Sequence, residues 1–424
     1  MNGFGSGGLE DIGSEHVPVL DGLRPRFTRL DGEELLVGMP IGTGAARRVG
    51  SRAARGRRHV PPIPGPRVVL EGLVAGALAR PPCLVEFSGG RDSSAVLALA
   101  AHVARREGLP LPIPFTRRFA HAPATDEAEW QHLVIDHLRL PHWERMVVTE
   151  ELDLVGPYAR RVLLACGVVA PAPLYAALPS FDRARGGTRI TGEGGDEILG
   201  SRRVTALRRA RQEPLTNLLR PRPARRALEP ITPSVIRRSV WRRRLGADLE
   251  LPWLRSSARE QVLDRIARHL ASEPLDWRRS LNWHLAATST QMLAHNSSVL
   301  ASLYDVTVLD PFLHPSFVAS WAREGGFFGV ADRTEALRAL VPDLLPDAVL
   351  SRQSKATFNT GYFTGTSRQF ASEWSGRGVD LGMVDPERLV EEWRHPRPSA
   401  QSFALLQTAW LADHGGDRRE ELPG

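Results

Sequence analysis

The chain has 424 residues, 42% hydrophobic and 24% charged, which suits a soluble globular protein of two or three structural units around one large core. Two cysteines, Cys83 and Cys166, exclude a disulfide framework or a zinc ribbon, and no apolar stretch approaches a bilayer span, so a cytoplasmic protein is expected. A net charge of +7 favours an acidic partner, whether nucleotide, acidic peptide or nucleic acid.

Residues 1–16 are rich in Gly and Ser without periodicity and are expected to be poorly ordered. Phe27 to Gly38 reads as two short strands around the turn Asp31-Gly32, a small N-terminal β appendage. The arginines, glycines and prolines from Ala45 to Pro66 are linker chemistry. A boundary therefore separates residues 1–60, appendage and linker, from the remainder of the chain.

Val68 to Leu78 has apolar residues at helical spacing and is expected to pack beside the next strand. That strand, Cys83-Leu84-Val85-Glu86-Phe87, stops at Ser88-Gly89-Gly90-Arg91-Asp92-Ser93-Ser94, and helix formers resume at Ala95. Strand, glycine-rich turn and helix form a phosphate cradle: Gly89 and Gly90 let backbone approach an anion, Ser88, Ser93 and Ser94 supply hydroxyls, and the new helix offers unpaired amides. A kinase-type P-loop is excluded, since no lysine stands where G-x-x-x-x-G-K-[ST] requires one, and Asp92 points to hydrated magnesium on the phosphates. Further short strands are predicted at Ile113–Phe115, weakened by Pro112 and Pro114, and at Arg145–Val148. Between them a helix is predicted over Glu127–Leu138, with Trp130, Leu133, Val134 and Leu138 on one face. Strands alternating with helices predict an α/β fold with a doubly wound parallel sheet over residues 61–200 and a ligand crevice at the strands' carboxyl ends.

A second strand-to-loop junction, Thr188-Arg189-Ile190 into Gly192-Glu193-Gly194-Gly195-Asp196-Glu197, puts three carboxylates within five residues. Such a loop offers them to a cation or uses one to move a proton. Residues 201–250 form an Arg-rich, loop-rich insert whose only aromatic ring near its arginine pairs is Trp241, which disfavours nucleic acid. From Leu251 the pattern turns helical, at 262–270, 283–304, 333–340 and 402–411, predicting a C-terminal helical lobe over 251–415 and a tail at 416–424. Among the 55 Lys and Arg residues Lys355 is the single lysine, and a compact ammonium suits a point-charge role that arginine fills poorly.

The turn S-G-G-x-D-S-S resembles the PP-loop of ATP pyrophosphatases, which cleave ATP between the α and β phosphates. Paired with G-E-G-x-D-E, here Gly192 to Glu197, it resembles the synthetase domain of the asparagine synthetase superfamily over roughly residues 65 to 415, with further likeness at Ala172–Tyr175, Pro311–Leu313 and Ser351–Lys355. The resemblance implies ATP bound by Ser88, Gly89, Gly90, Asp92, Ser93, Ser94 and Gly192, Mg2+ held by Asp92 and Asp196, Glu193 as the base that deprotonates the attacking amine, and Lys355 stabilising the oxyanion and departing phosphate. Departures from the family pattern are His314 after Pro311-Phe312-Leu313, and Arg333-Thr334 where a second family lysine stands. The chain starts Met1-Asn2-Gly3 with only some 60 residues ahead of the synthetase part, so ammonia from glutamine is not expected. In these respects it looks like the macrolactam synthetases of lasso peptides, which adenylate an acidic side chain of a precursor peptide and let the peptide's own amine attack. That likeness implies a precursor peptide as carboxylate substrate, with a leader-peptide-binding protein or protease as partner and no membrane. The alternatives are an ammonia-dependent asparagine synthetase-like ligase and, in another class, a PP-loop RNA-modifying protein.

Overall fold

The computed structural model describes residues 26–43, 64–212, 231–354, 356 and 358–415. The Gly/Ser-rich start, most of the linker, the tail beyond Gly415 and Lys355 lie outside the described residues.

Five parallel strands form the predicted sheet: β1 (Cys83–Glu86), β2 (Ile113–Phe119), β3 (Glu144–Val148), β4 (Thr188–Ile190) and β5 (Thr307–Leu309), in the order β3-β2-β1-β4-β5. The chain winds outward from β1 to β3, then returns to the other side of β1 for β4 and β5. The order therefore reverses between β1 and β4, and there the carboxyl ends of the strands open a crevice. The strand after Pro112 runs to Phe119, four residues beyond the expected end. Pro114 is tolerated because pairing with β3 begins only at Phe115↔Glu144, so β2 has a single neighbour at the proline. β5 was not expected: it comes from a region whose pattern is otherwise helical.

Alternation along β1 sorts the core into two layers. Cys83, Val85 and Phe87 face α2 (Pro66–Leu78) and α3 (Arg91–Glu107), whose buried leucines, valines and alanines complete that layer. Leu84 and Glu86 face the other way, toward α5 (Pro157–Cys166), α6 (Leu178–Arg183) and the C-terminal helix Phe403–His414. That second layer is fastened by Asp153, a fully buried carboxylate accepting from the amides of Val155, Thr364 and Ser367 and from the hydroxyls of Thr364 and Ser367.

Several local expectations are corrected. The β appendage is a helix instead: Asp31 caps α1 (Gly32–Leu36), accepting from the Glu34 amide at 2.8 Å while Glu34 accepts from the Asp31 amide at 3.1 Å. Asp-Gly is a turn signal, but D-x-x-E is equally a capping box, and burial of Leu36 and Val37 against the C-terminal core decides for the helix. In α4 (Ala128–Leu138) Leu133 is exposed and Ile135 takes its place in the core. The helix expected over 283–304 is two, Trp277–Leu285 and Thr288–Ser302. The Arg-rich insert, where described, is helical: α7 (Thr205–Gln212) and Ser234–Asp248, the latter tied to helix Ser256–Ala271 by Arg238–Asp264 and Arg242–Glu260 ion pairs; residues 213–230 lie outside the described residues. Among the described residues no helix is long and apolar enough to cross a membrane.

Candidate functional site

Strand β1 ends against the turn Ser88–Gly90, and Gly90 is the N-cap of α3 without any side-chain cap, so the first-turn amides keep their donors for an incoming anion. The serines brace the turn: the Ser93 hydroxyl donates to the Gly90 carbonyl at 3.0 Å, and the Ser88 hydroxyl accepts from the Gly90 amide at 3.2 Å. Gly89 has φ +88°, and a Cβ there would meet Gln131 Cγ at 2.9 Å and Glu127 Cβ at 3.2 Å, so α4 closes directly on the turn. Gln131 donates to the Ser88 carbonyl at 2.9 Å from the same side.

The second glycine-rich loop leaves β4 and lies across the first. A Cβ on Gly192 would sit 2.8 Å from the Ser93 amide nitrogen, and one on Gly195 would overlap the Asp92 carboxylate. Only glycine at these two positions lets the loops lie this close. Asp92 and Asp196 are brought together on one guanidinium: Arg333, at the start of helix Arg333–Leu340, lies 3.3 Å from Asp92 Oδ2 and is in closer contact with Asp196. Arg91 reaches the same helix, donating to the Thr334 hydroxyl at 3.2 Å.

These loops wall a cavity of about 680 Å³ that includes Ser88, Gly90, Asp92, Ser93, Gly192, Glu193 and Asp196. Of the sequence-predicted phosphate-binding residues, Gly89 and Ser94 are not in its wall; Ser94 is fully buried. Glu193 is exposed, but the solvent it meets is that of the cavity, whose walls stand around its carboxyl. That enclosure, and the nearby carboxylates of Asp310 and Glu197, push its pKa up to about 7, against a smaller pull from Arg189. Asp310 is itself fixed by the Thr191 hydroxyl, and Thr191 also accepts from the Glu193 amide at 3.1 Å. His314, the departure noted after Leu313, caps helix Pro315–Gly325 by accepting from Ser316.

The segment Ser351–Ser354 that precedes Lys355 is anchored by a residue the sequence did not single out. Arg352, 8% exposed, donates to the Gly89 carbonyl at 3.1 Å, makes a two-point pair with Glu127 (Nη2 to Oε1 2.6 Å) and lies 4.6 Å over the Trp130 ring. Gln353, Ser354 and Ala356 then line the cavity. The signal was indirect: Arg352 sits inside the family-like Ser351–Lys355 run, while its partner Glu127 is 225 residues away. Truncating Glu127 to Ala should strand the buried guanidinium and cost about 3–5 kcal/mol in a chemical-denaturation experiment. An unchanged midpoint would show that this pair does not hold the segment.

A model of the family described as asparagine synthase matches residues 67–412. The chain belongs to the asparagine synthase family. The match runs from α2 to the C-terminal helix and so takes in both glycine-rich loops and the Arg333 and Arg352 segments. No curated protein matches the chain. Membership of the asparagine synthase family makes it an ATP-dependent carbon–nitrogen ligase, and the predicted α/β fold with its parallel sheet is the one this family uses.

Proposed function

We propose that this ligase adenylates an acidic side chain of a precursor peptide and joins it to the peptide's own amine, forming a macrolactam. The observation that carries the reading is the single cavity in which the phosphate cradle of Ser88–Ser93, the enclosed carboxyl of Glu193 and an aromatic wall of Phe119, Phe358 and Tyr362 meet. A wall of rings suits a carboxyl group that arrives with bulky neighbours, as in a peptide.

The first-turn amides of α3 and the Ser88 hydroxyl hold the α-phosphate, and Arg91 and Arg333 take the charge of the departing pyrophosphate. The donor set fits a hydrated divalent cation: Asp92 and Asp196 come from separate loops, already converge on one positive group, and stand beside the cradle, with the absence of a side chain at Gly195 letting the second loop pack against the Asp92 carboxylate. Among the described residues no cluster of three or more His, Cys, Asp or Glu could hold a metal, so most ligands would be phosphate and water. Bound there, magnesium would screen the phosphate charge. Glu193 then removes a proton from the attacking amine as the new C–N bond forms and the acyl–O bond to AMP breaks, and a carboxyl whose pKa lies near 7 is matched to that task. Fixing both reacting groups of one peptide replaces a bimolecular step by an intramolecular one.

Supplying the purified chain with ATP, magnesium and a linear precursor peptide, without ammonium, should give AMP, pyrophosphate and a product lighter by one water, read by mass spectrometry. Conversion of aspartate and ammonium to asparagine, with peptides left untouched, would instead establish the ammonia-dependent ligase. ATP turnover that requires RNA would move the chain to the RNA-modifying class.

A further inference from the structure

Arg333 shares Asp92 and Asp196 with the cation that those two carboxylates fit, so it cannot rely on them to stay beside a departing pyrophosphate. Its Nε is buried and has no hydrogen-bond partner among the described residues, so the guanidinium has no tether of its own. What fixes its place is the backbone that carries it, segment 329–332 and the first turn of helix Arg333–Leu340.

That segment is gripped by the chain that leaves the acidic loop. The Ser201 hydroxyl and an Nη of Arg209 both donate to the Ala331 carbonyl, at 3.0 and 3.1 Å. Arg208, on α7, donates one Nη to the Gly329 carbonyl at 2.5 Å and pairs through the other with Glu335 at 2.6 Å. Glu335 turns back onto the same segment: its second carboxylate oxygen accepts from the Ala331 amide at 2.7 Å, and its own amide donates to the capping carboxylate of Asp332 at 3.0 Å. On another side Gly329, with φ +60°, lies so close to the buried Trp277 ring that a Cβ would overlap it. Arg208 thus holds the segment at residues 329 and 335, on either side of Arg333, while standing outside the cavity wall itself. Arg208 and Glu335 are both partly exposed, and such an ion pair adds little to stability. What it supplies is a fixed entry for the helix.

We propose that Arg208, paired with Glu335, is the positioning residue for Arg333: it sets the start of helix Arg333–Leu340 and so holds the Arg333 guanidinium at the pyrophosphate. The inference rests on the reading of Arg333 as a pyrophosphate contact. A displacement of about 1 Å is enough to forfeit a contact of this kind. The proposal also gives the Arg-rich insert a task, since α7, which opens it, ties the acidic loop to the helix that carries Arg333.

The experiment measures binding of magnesium pyrophosphate, and separately of AMP, to the full chain by calorimetry in wild type, Arg208→Met, Arg333→Met and the double variant. AMP has no phosphate beyond the α position, so it reads the cavity without the Arg333 contact. Arg333→Met should weaken pyrophosphate binding by about tenfold or more, the worth of one charge-assisted hydrogen bond, and leave AMP unchanged. Arg208→Met should give a loss of the same kind and no larger, again with AMP unchanged, and Arg208→Lys should restore part of it. The double variant should bind pyrophosphate no more weakly than Arg333→Met alone, because a positioning residue then has nothing to position. Should Arg208→Met fail to fold, Glu335→Gln weakens the same pair from the other partner and should give the same pattern. Losses that add in the double variant overturn the proposal, as does an Arg208→Met protein that loses AMP and pyrophosphate alike, or neither. Pyrophosphate binding that Arg333→Met leaves untouched, or that wild type does not show, removes Arg333 as a pyrophosphate contact and the proposal with it.

Discussion

Asp92→Asn is expected to lower magnesium-dependent pyrophosphate release from ATP by about two to three orders of magnitude, the scale seen when one preorganised electrostatic contact is removed from a reacting centre. Asn has nearly the same shape, so the close approach of Gly195 to residue 92 is kept and the loops should still nest. What is lost is one of the two negative charges that face Arg333. Without it, the site for a divalent cation is reduced to Asp196, whose side chain is half exposed and held in place by the same arginine. Thermal unfolding should change little, because Arg333 keeps Asp196 as a partner. The measurement is pyrophosphate release against magnesium concentration: the variant should need far more magnesium and reach a lower plateau. Release that matches wild type across the titration would take Asp92 out of the metal role.

Much of this site was legible because its two loops carry local signals. A strand ending in Ser-Gly-Gly, or in Gly-Glu-Gly-Gly-Asp, announces a tight turn with close backbone approach wherever it falls in a fold. What sequence does not show is which distant residues neutralise the charges those loops expose. Arg333 meets Asp92 and Asp196 only because helix Arg333–Leu340 packs over the crevice, and Arg352 meets Glu127 across most of the synthetase region. In a chain where nearly every basic residue is arginine, neither stands out. Glu86, which pairs with Arg117 and Arg189, had a usable signal, a single carboxylate in an otherwise apolar strand, which demands a partner on physical grounds alone. β5 had none, since three residues are too few to show a period, and it forms a strand because β4 offers it an edge to pair with. Asp31-Gly32 shows the opposite case, a clear local signal with two meanings, settled by which side chains the C-terminal core could bury.

Glu193→Gln is expected to separate the two halves of the reaction. Gln preserves the size of the side chain and its ability to hydrogen-bond, but it takes no proton from an amine, so the acyl-adenylate should still form and pyrophosphate should still appear. Amide formation should fall by about two to four orders of magnitude, the usual worth of a positioned general base. The pH dependence gives an independent check on the same group. Enclosure and the neighbouring carboxylates of Asp310 and Glu197 raise the Glu193 pKa to about 7, so the base form is lost as pH falls through that value. Wild-type amide formation at saturating substrate should therefore drop by roughly tenfold per pH unit on the acid side. The half-reaction that releases pyrophosphate does not use this base and should not follow the same limb. Asp310→Asn should move the midpoint toward lower pH, because it removes a negative neighbour that favours the protonated form of Glu193. Paired assays of pyrophosphate and amide from pH 5 to 9 on the three proteins decide the matter; a Glu193→Gln enzyme that forms amide at the wild-type rate would refute the assigned role.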